Sequence, residues 1–216
     1  MEMKGLWGAF YKVSVVISRL AYLNLLWIFA TILGLVVVGI MPATISMFTV
    51  VRKWVMKEND IPIFKTFFST YKKEFLKTNL IMIILGIIGV LLFIDLRFTG
   101  YMRESGFYNV FLGILFIASF LYFILVVFIA PVYVHYQLSI RRYLTYSIMI
   151  GATNLLYTIA ILIALSSIYY TSMKVPGITL FFSFSVSAYI TMYFANLSFN
   201  NLLKKQQAQI DSNTSI

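Results

Sequence analysis

The sequence predicts an all-α protein that crosses a membrane repeatedly, with about five transmembrane helices and amphipathic helices at the membrane surface. Of its 216 residues, 61% are hydrophobic and only 11% are charged, and the mean hydropathy is +0.91. Soluble domains carry about a quarter charged residues, so lipid is the main solvent of this chain. Apolar runs of membrane-spanning length recur along it, and its Lys and Arg residues flank these runs, where they can meet lipid headgroups.

Composition also limits the chemistry that the chain can perform. It has no cysteine, which excludes disulfides and thiolate metal sites. His135 is its single histidine, so a metal site built from several histidines is excluded as well. Basic residues beside membrane spans explain the net charge of +10, and we expect no nucleic-acid partner and no cofactor.

The N-terminal region is interpreted as a surface helix followed by a first span. Residues 5–19 place apolar side chains at steps of three and four, which predicts an amphipathic interfacial helix. Residues 20–40 rise about 31 Å as a helix, enough to cross a hydrocarbon core of about 30 Å. Gly39 and Pro42 then predict a helix break, because proline lacks a backbone donor and crowds the preceding turn.

The stretch after this predicted break is strongly basic. Seven of the 17 Lys and Arg residues lie between residues 52 and 78. Residues 61–77 place an aromatic face opposite a lysine face, which predicts a helix that lies flat in the headgroup plane or docks on a protein partner. The candidates for docking are Phe64, Phe67, Phe68, Tyr71 and Phe75 on the aromatic face, and Lys65, Lys72 and Lys73 on the basic face.

Four more apolar runs complete a single predicted membrane domain that covers residues 1–216. These predicted spans are 80–98, 107–134, 148–170 and 178–199, and a polar tail follows over residues 200–216. In the last span, small side chains recur every four residues, which lets another helix approach closely. This helix-packing seam consists of Ser183, Ser187, Thr191 and Ala195, and packing within the chain is favoured over a contact with another protein.

The distribution of Lys and Arg predicts the orientation in the membrane. With five spans, eleven basic residues lie on one side and six on the other, so the side with eleven is expected in the cytoplasm. This arrangement places the N-terminus outside, against the preference of its three basic residues, Lys4, Lys12 and Arg19. If the segment up to Pro42 instead enters and leaves on one side, the split becomes fourteen to three. An arrangement with four spans therefore stays open.

The polar residues form no recognisable catalytic set. Every Asp and Glu falls in a loop or at the end of a predicted span, which disfavours ion-coupled transport. The glycine-rich phosphate loop of nucleotide hydrolases is absent from the sequence. A Ser-His-Asp triad would have to use His135, which lies among tyrosines at a span end. We therefore expect that the chain is not an enzyme.

Motifs in the N-terminal half resemble those of the YesL family of bacterial integral membrane proteins. The later spans resemble the family only in hydropathy. The motifs are LAYLNLLWIF from Leu20 to Phe29, GIMPAT from Gly39 to Thr44, VVRKW from Val50 to Trp54, IFKTFFSTYKKEFLKTN from Ile63 to Asn79, and FIDLRF from Phe93 to Phe98. The family is of unknown function, so the resemblance implies a context and no particular chemistry: such proteins are typically encoded beside ABC-type importers and enzymes for oligosaccharide use in Gram-positive bacteria.

That context implies an accessory or assembly subunit of an ABC-type oligosaccharide importer in the bacterial cell membrane, with permease subunits as partners. The chain lacks the E-A-A-x-x-x-G loop by which importer permeases engage their ATPase, so it does not resemble a permease itself. The alternative is a stand-alone small-molecule transporter or channel. That alternative is motivated by the predicted break at Gly39 and Pro42, which lies near the polar residues Asn24 and Thr44.

Overall fold

The computed structural model describes residues 6–102, 104 and 106–214, and the regular secondary structure of these residues is helical throughout. Five segments are long and apolar enough to cross a membrane, which confirms the predicted all-α membrane fold with about five spans. These segments are Val13–Leu33, Ile63–Thr99, Tyr108–His135, Leu155–Lys174 and Pro176–Lys204. The α-helices are α1 (Leu6–Leu33), α2 (Val37–Val55), α3 (Ile63–Thr99), α4 (Tyr108–His135), α5 (Ile140–Thr153), α6 (Leu155–Lys174), the short α7 (Pro176–Ile178) and α8 (Phe184–Thr214).

Helices α1 and α2 fold back on each other as a helical hairpin. A turn over residues 34–36 joins them, and in it Leu35 and Val36 adopt positive φ angles of 56° and 63°. Across the hairpin, Trp27 Nε1 donates to Thr44 Oγ1 at 3.1 Å. Trp27 lies about 9 Å before the end of α1, and Thr44 lies about 10 Å after the start of α2. The hydrogen bond therefore requires the two helix axes to meet at an acute angle.

The predicted helix break at Gly39 and Pro42 is wrong in position. Helix α2 begins at Val37 and runs through both residues, and the chain reverses before them. Pro42 lies in the second turn of α2, where its missing N–H removes one hydrogen bond without ending the helix. Gly39 instead allows the hairpin to close, since a Cβ there would come within 2.4 Å of the Thr31 carbonyl oxygen.

Helix α2 forms the centre of the bundle. Its buried residues include Met41, Ile45, Met47 and Val50, and the helix contacts α1, α3, α4 and α8. Its last turn carries Arg52 and Lys53, so the charged end of this central helix lies at one end of the bundle. A helix that packs on several sides is expected to be apolar around most of its circumference, as α2 is up to Val51.

The flat surface helix predicted over residues 61–77 is not a separate element. It is continuous with the second span in the 37-residue helix α3. No Gly or Pro lies between Lys77 and Leu80, so the change from basic to apolar composition leaves the backbone helical. The interfacial helix predicted over residues 5–19 likewise continues into the first span as part of α1, and residue 5 lies outside the described residues.

Helix α4 matches the predicted third span closely, whereas the predicted fourth span is divided between α5 and α6. Asn154 separates these two helices with φ −124° and ψ 51°. Thr158 Oγ1 donates to the Gly151 carbonyl oxygen at 2.8 Å and bridges the break. Gly151 also brings α5 close to α4, since a Cβ there would lie 2.3 Å from Ile124 and 2.9 Å from Phe128.

The last span begins with a π-helical segment, Thr179–Ser183, between α7 and α8. Asn24 of α1 bonds to its backbone, and its amide nitrogen donates to the carbonyl oxygens of Thr179 at 3.3 Å and Leu180 at 2.7 Å. The Asn24 side-chain oxygen accepts hydrogen bonds of 3.0 Å from the N–H groups of the first two residues of α8. These contacts satisfy backbone groups that a π-helix leaves without helical partners.

The helix-packing seam is used inside the bundle. Ser183, Thr191 and Ala195 are buried and Ser187 is half-buried. The Ser183 hydroxyl lies 2.5 Å from that of Ser172 in α6. Helix α8 then continues through the predicted polar tail as far as Thr214, and residues 215 and 216 lie outside the described part of the chain.

Candidate functional site

A polar cavity of about 790 Å³ lies between α2, α3, α4 and α5, at the end of the bundle that carries the charged last turn of α2. Side chains with charged, hydroxyl or amide groups form most of its lining. The lining residues are Ile45, Thr49, Arg52, Ser69, Thr70, Lys73, Glu74, Lys77, Tyr133, Val134, His135, Tyr136, Gln137, Leu138 and Tyr143. A concave site with several converging polar groups is the usual form of a ligand-binding site.

Three cations and one carboxylate give the cavity its charge. Lys73 Nζ lies 3.9 Å from Glu74 Oε1, and the Lys73 side chain is 81% exposed. Lys77 Nζ lies over the rings of Tyr133 and Tyr143, at 5.1 and 5.0 Å from their centroids. Arg52 reaches the same cavity from α2. The lining therefore has a positive excess, which favours an anionic occupant.

Tyrosine hydroxyls connect the helices that surround the cavity. Tyr133 donates to Glu74 Oε2 at 2.5 Å, which joins α4 to α3. The Tyr143 hydroxyl donates to the Tyr136 carbonyl oxygen and accepts from the Leu138 N–H, each at 3.1 Å. These bonds fix the segment that joins α4 to α5, which forms part of the cavity lining. Burial, with a smaller contribution from nearby Tyr146, raises the pKa of Tyr136 above its ordinary value.

Two buried nitrogen atoms in the cavity lining lack a hydrogen-bond partner within the described residues. They are Arg52 Nε and His135 Nδ1. The His135 ring is held between aromatic side chains, with centroid distances of 4.7 Å to Tyr136 and 4.4 Å to Phe199. Buried polar groups are normally paired, so an unpaired guanidinium nitrogen beside a polar cavity indicates a place for a ligand or for water.

The outward face of α3 shows where the cavity lies relative to the bilayer. Leu76 is 83% exposed and begins an apolar strip, whereas the exposed residues before it on that face are polar. From Leu76 to Asp95 the helix rises about 28 Å, close to the thickness of a hydrocarbon core. The boundary between headgroups and hydrocarbon therefore falls near Leu76. Lys73 and Lys77 lie beside that boundary, so the cavity opens at headgroup level.

The structure corrects part of the predicted docking surface. Phe67 and Tyr71 are buried against the core, and the Tyr71 hydroxyl donates to the Ala30 carbonyl oxygen at 2.9 Å. Phe68 and Phe75 are half-buried against the same core. The aromatic face of residues 61–77 therefore packs on the chain itself, because α3 lies along α2. The residues of the predicted docking surface that are exposed are Phe64, Lys65, Lys72 and Lys73, and docking through them stays a prediction.

Comparison with known proteins gives a family for the chain. Residues 20–96 match the family described as "Protein of unknown function, DUF624". The chain is 36% identical to the uncharacterized protein YteU of Bacillus subtilis strain 168, over 96% of this chain and 91% of YteU. From the same organism, the uncharacterized protein YesV is 34% identical over 93% of this chain and 94% of its own length. The uncharacterized protein YesL is also 34% identical, over 89% of this chain and 90% of its own.

The chain belongs to the YesL-like family. Similarity to these members extends over nearly the whole chain, so the likeness is not confined to the N-terminal motifs. The matched residues 20–96 of this YesL-like protein include α2 and most of α3. These helices supply all four charged side chains of the cavity, Arg52, Lys73, Glu74 and Lys77. No solved structure matches the chain.

Sequence reasoning missed the cavity of this YesL-like protein. The sequence places Lys73 on the basic face of a predicted surface helix, and it places Tyr133 and Tyr143 near the ends of predicted spans without connecting them. The grouping depends on the packing of α3 beside α4 and α5, which hydropathy does not determine. One sequence feature does point to it, because Thr70, Glu74 and Lys77 recur at steps of four and three and therefore share one face of α3.

Proposed function

We propose that this YesL-like protein is a non-enzymatic accessory or assembly subunit of an ABC-type oligosaccharide importer in the bacterial cell membrane. The family resemblance supports this proposal through context, since such proteins are typically encoded beside importers of this class. A protein of this kind needs no catalytic set of its own. It needs a surface outside the hydrocarbon core on which the importer's permease subunits can dock.

The observation that carries the proposal is the exposed start of α3. About thirteen residues of α3 precede the apolar strip that begins at Leu76, and they extend the helix about 20 Å beyond the bilayer boundary. Phe64 is 57% exposed near the tip of this extension, and Lys65 and Lys72 are exposed beside it. An exposed aromatic side chain among cations is typical of contact surfaces on partner proteins. The extension is therefore the proposed docking surface.

Co-purification from native membranes tests the proposal. Affinity-tagged importer permease should retain the wild-type chain, whereas the double variant Phe64→Ser, Lys72→Ser should be recovered in much smaller amounts. Phe68 and Phe75 are left unchanged because they pack on the core. The matched control is Arg141→Ser, Arg142→Ser, which changes two exposed residues at the start of α5 and should leave recovery unchanged. Absence of the wild-type chain from the purified importer contradicts the proposal.

A second candidate is a stand-alone small-molecule transporter or channel, and the polar cavity of about 790 Å³ favours it. Transport by this chain alone requires the cavity to connect to the opposite membrane face. Proteoliposomes that contain only this chain test this candidate by uptake of radiolabelled oligosaccharides or sugar phosphates. Uptake above that of empty liposomes supports a transporter, and no uptake leaves the accessory role as the better proposal.

A further inference from the structure

The cavity at the headgroup boundary has the composition of a phosphate-binding site. Arg52, Lys73 and Lys77 supply positive charge, and Glu74 is the one carboxylate in the lining. The Ser69 hydroxyl group also lines it. Guanidinium, ammonium and hydroxyl donors are the groups that proteins use to hold phosphate oxygens. We propose that this cavity binds a phosphate-bearing anion, either a lipid headgroup or a soluble phosphate ester.

The cation that most needs such a ligand is Arg52. Its Nε is buried, and it has no hydrogen-bond partner among the described residues. The salt bridges found in the described part of the chain, Lys53 with Glu58 and Lys73 with Glu74, do not include it. A guanidinium left without an acidic partner is stabilised strongly by an oxyanion, which can accept two of its N–H bonds. The anion therefore completes a site that the chain leaves open.

Lys77 is held in place for the same ligand. Its ammonium lies over the Tyr133 and Tyr143 rings, where cation–π attraction restricts its position. Glu74, the one carboxylate in the lining, already accepts a hydrogen bond from Tyr133 and lies beside Lys73. Lys77 thus keeps its hydrogen-bonding capacity for a ligand in the cavity.

The position of the cavity determines which phosphates can reach it. It opens beside Lys73, at the level where the outward face of α3 changes from polar to apolar at Leu76. Phosphates of membrane lipids lie at this level, and cations at such positions attract anionic lipids. The same opening faces the aqueous phase, from which a soluble phosphate ester can enter. The two sources share one chemistry, and binding measurements can separate them.

The test measures binding to the full-length chain in neutral detergent by the ligand-induced rise in the midpoint of thermal unfolding. The probes are phosphatidylglycerol and glucose 6-phosphate, with diacylglycerol and glucose as the respective controls that lack the phosphate. We expect saturable stabilisation by at least one of the two anionic probes and none by its control. Phosphatidylglycerol alone identifies a lipid headgroup as the source, and glucose 6-phosphate identifies a soluble ester.

Variants locate the binding in the cavity. Arg52→Gln, Lys77→Gln should weaken binding of the effective probe about tenfold or more, the usual effect of losing charge-assisted hydrogen bonds. The control Arg141→Gln, Arg142→Gln removes the same charge from an exposed surface and should change affinity less than about twofold. Arg52→Lys, Lys77→Arg keeps the charge but changes the geometry of both donors, so it should weaken binding less than Arg52→Gln, Lys77→Gln.

A further variant avoids any effect of charge removal on folding. Ser69→Trp changes an exposed residue in the cavity lining, keeps every cation, and should block the ligand by filling space. Unchanged binding in this variant overturns the proposal, and so does absence of binding by both anionic probes. Equal losses in the Arg52/Lys77 and Arg141/Arg142 variants would show diffuse surface attraction and would overturn it as well.

Discussion

Asn24 connects the first span to the place where the last span departs from α-helical geometry. Its side chain makes four hydrogen bonds to the backbone around the π-helical segment Thr179–Ser183. The sequence shows that a polar group lies at membrane depth and needs a partner. It does not show that the partner is the backbone around Thr179, which lies 155 residues further along the chain.

Removing this side chain should loosen the contact between α1 and α8. We expect Asn24→Ala to lower the free energy of unfolding by about 2 kcal/mol, because buried backbone groups lose their hydrogen-bond partners. Asn200→Ala is the matched control, since Asn200 is exposed on α8. The measurement is the midpoint of unfolding in detergent, followed by tryptophan fluorescence. Equal midpoints for the two variants would contradict a structural role for Asn24.

A second residue-level prediction concerns the tight α1–α2 hairpin. A Cβ on Gly34 would lie 2.3 Å from Gly39 Cα and 2.6 Å from the Tyr71 hydroxyl, so Gly34→Ala must push the helices apart. We expect a loss of about 1–3 kcal/mol in unfolding free energy, as in other overpacked cores. Gly86→Ala is the control, because a Cβ on Gly86 meets nothing within 4 Å. The same unfolding assay applies, and a stable Gly34→Ala protein would show that the hairpin is more open.

At the level of elements, hydropathy predicts where helices can cross the membrane but not where they begin and end. Helix α3 is continuous because neither Gly nor Pro separates its basic start from its apolar part. The turn over residues 34–36 is harder to foresee, since Leu35 and Val36 are bulky residues that seldom adopt positive φ. The cavity is harder still, because Arg52, Lys77 and Tyr143 come together only through the packing of four helices.

The continuity of α3 gives a distance that can be measured. The chain has no cysteine, so spin labels can be attached to Lys65→Cys and Ile94→Cys, two exposed positions on α3. A continuous helix separates their Cα atoms by about 44 Å, since each residue adds about 1.5 Å. A surface helix lying flat up to residue 78 would bring them to about 31 Å. Electron–electron double resonance in detergent distinguishes the two distances. The shorter distance would support a separate helix that lies flat on the membrane surface.

For the whole molecule, the α1–α2 hairpin changes the expected orientation of the N-terminus. The chain returns through α2 towards the side from which α1 begins, so the start of α1 and the loop over 56–62 belong on one side. The basic residues then divide fourteen to three, which satisfies the preference for positive charge in the cytoplasm far better than eleven to six. The conflict at Lys4, Lys12 and Arg19 disappears in this arrangement. It corresponds to the alternative in which the N-terminal segment enters and leaves on one side.

Accessibility of single cysteines in intact cells tests this orientation, and the cysteine-free chain makes the experiment direct. Lys4→Cys and Lys57→Cys should both be protected from a membrane-impermeant maleimide until the cells are opened. Lys174→Cys, at the end of α6, should react in intact cells because it lies on the side with few basic residues. Labelling of Lys4→Cys together with protection of Lys57→Cys would place the N-terminus outside. In that case α1 and α2 would cross the bilayer as one broken span, and the Trp27–Thr44 hydrogen bond would have to be absent in the membrane.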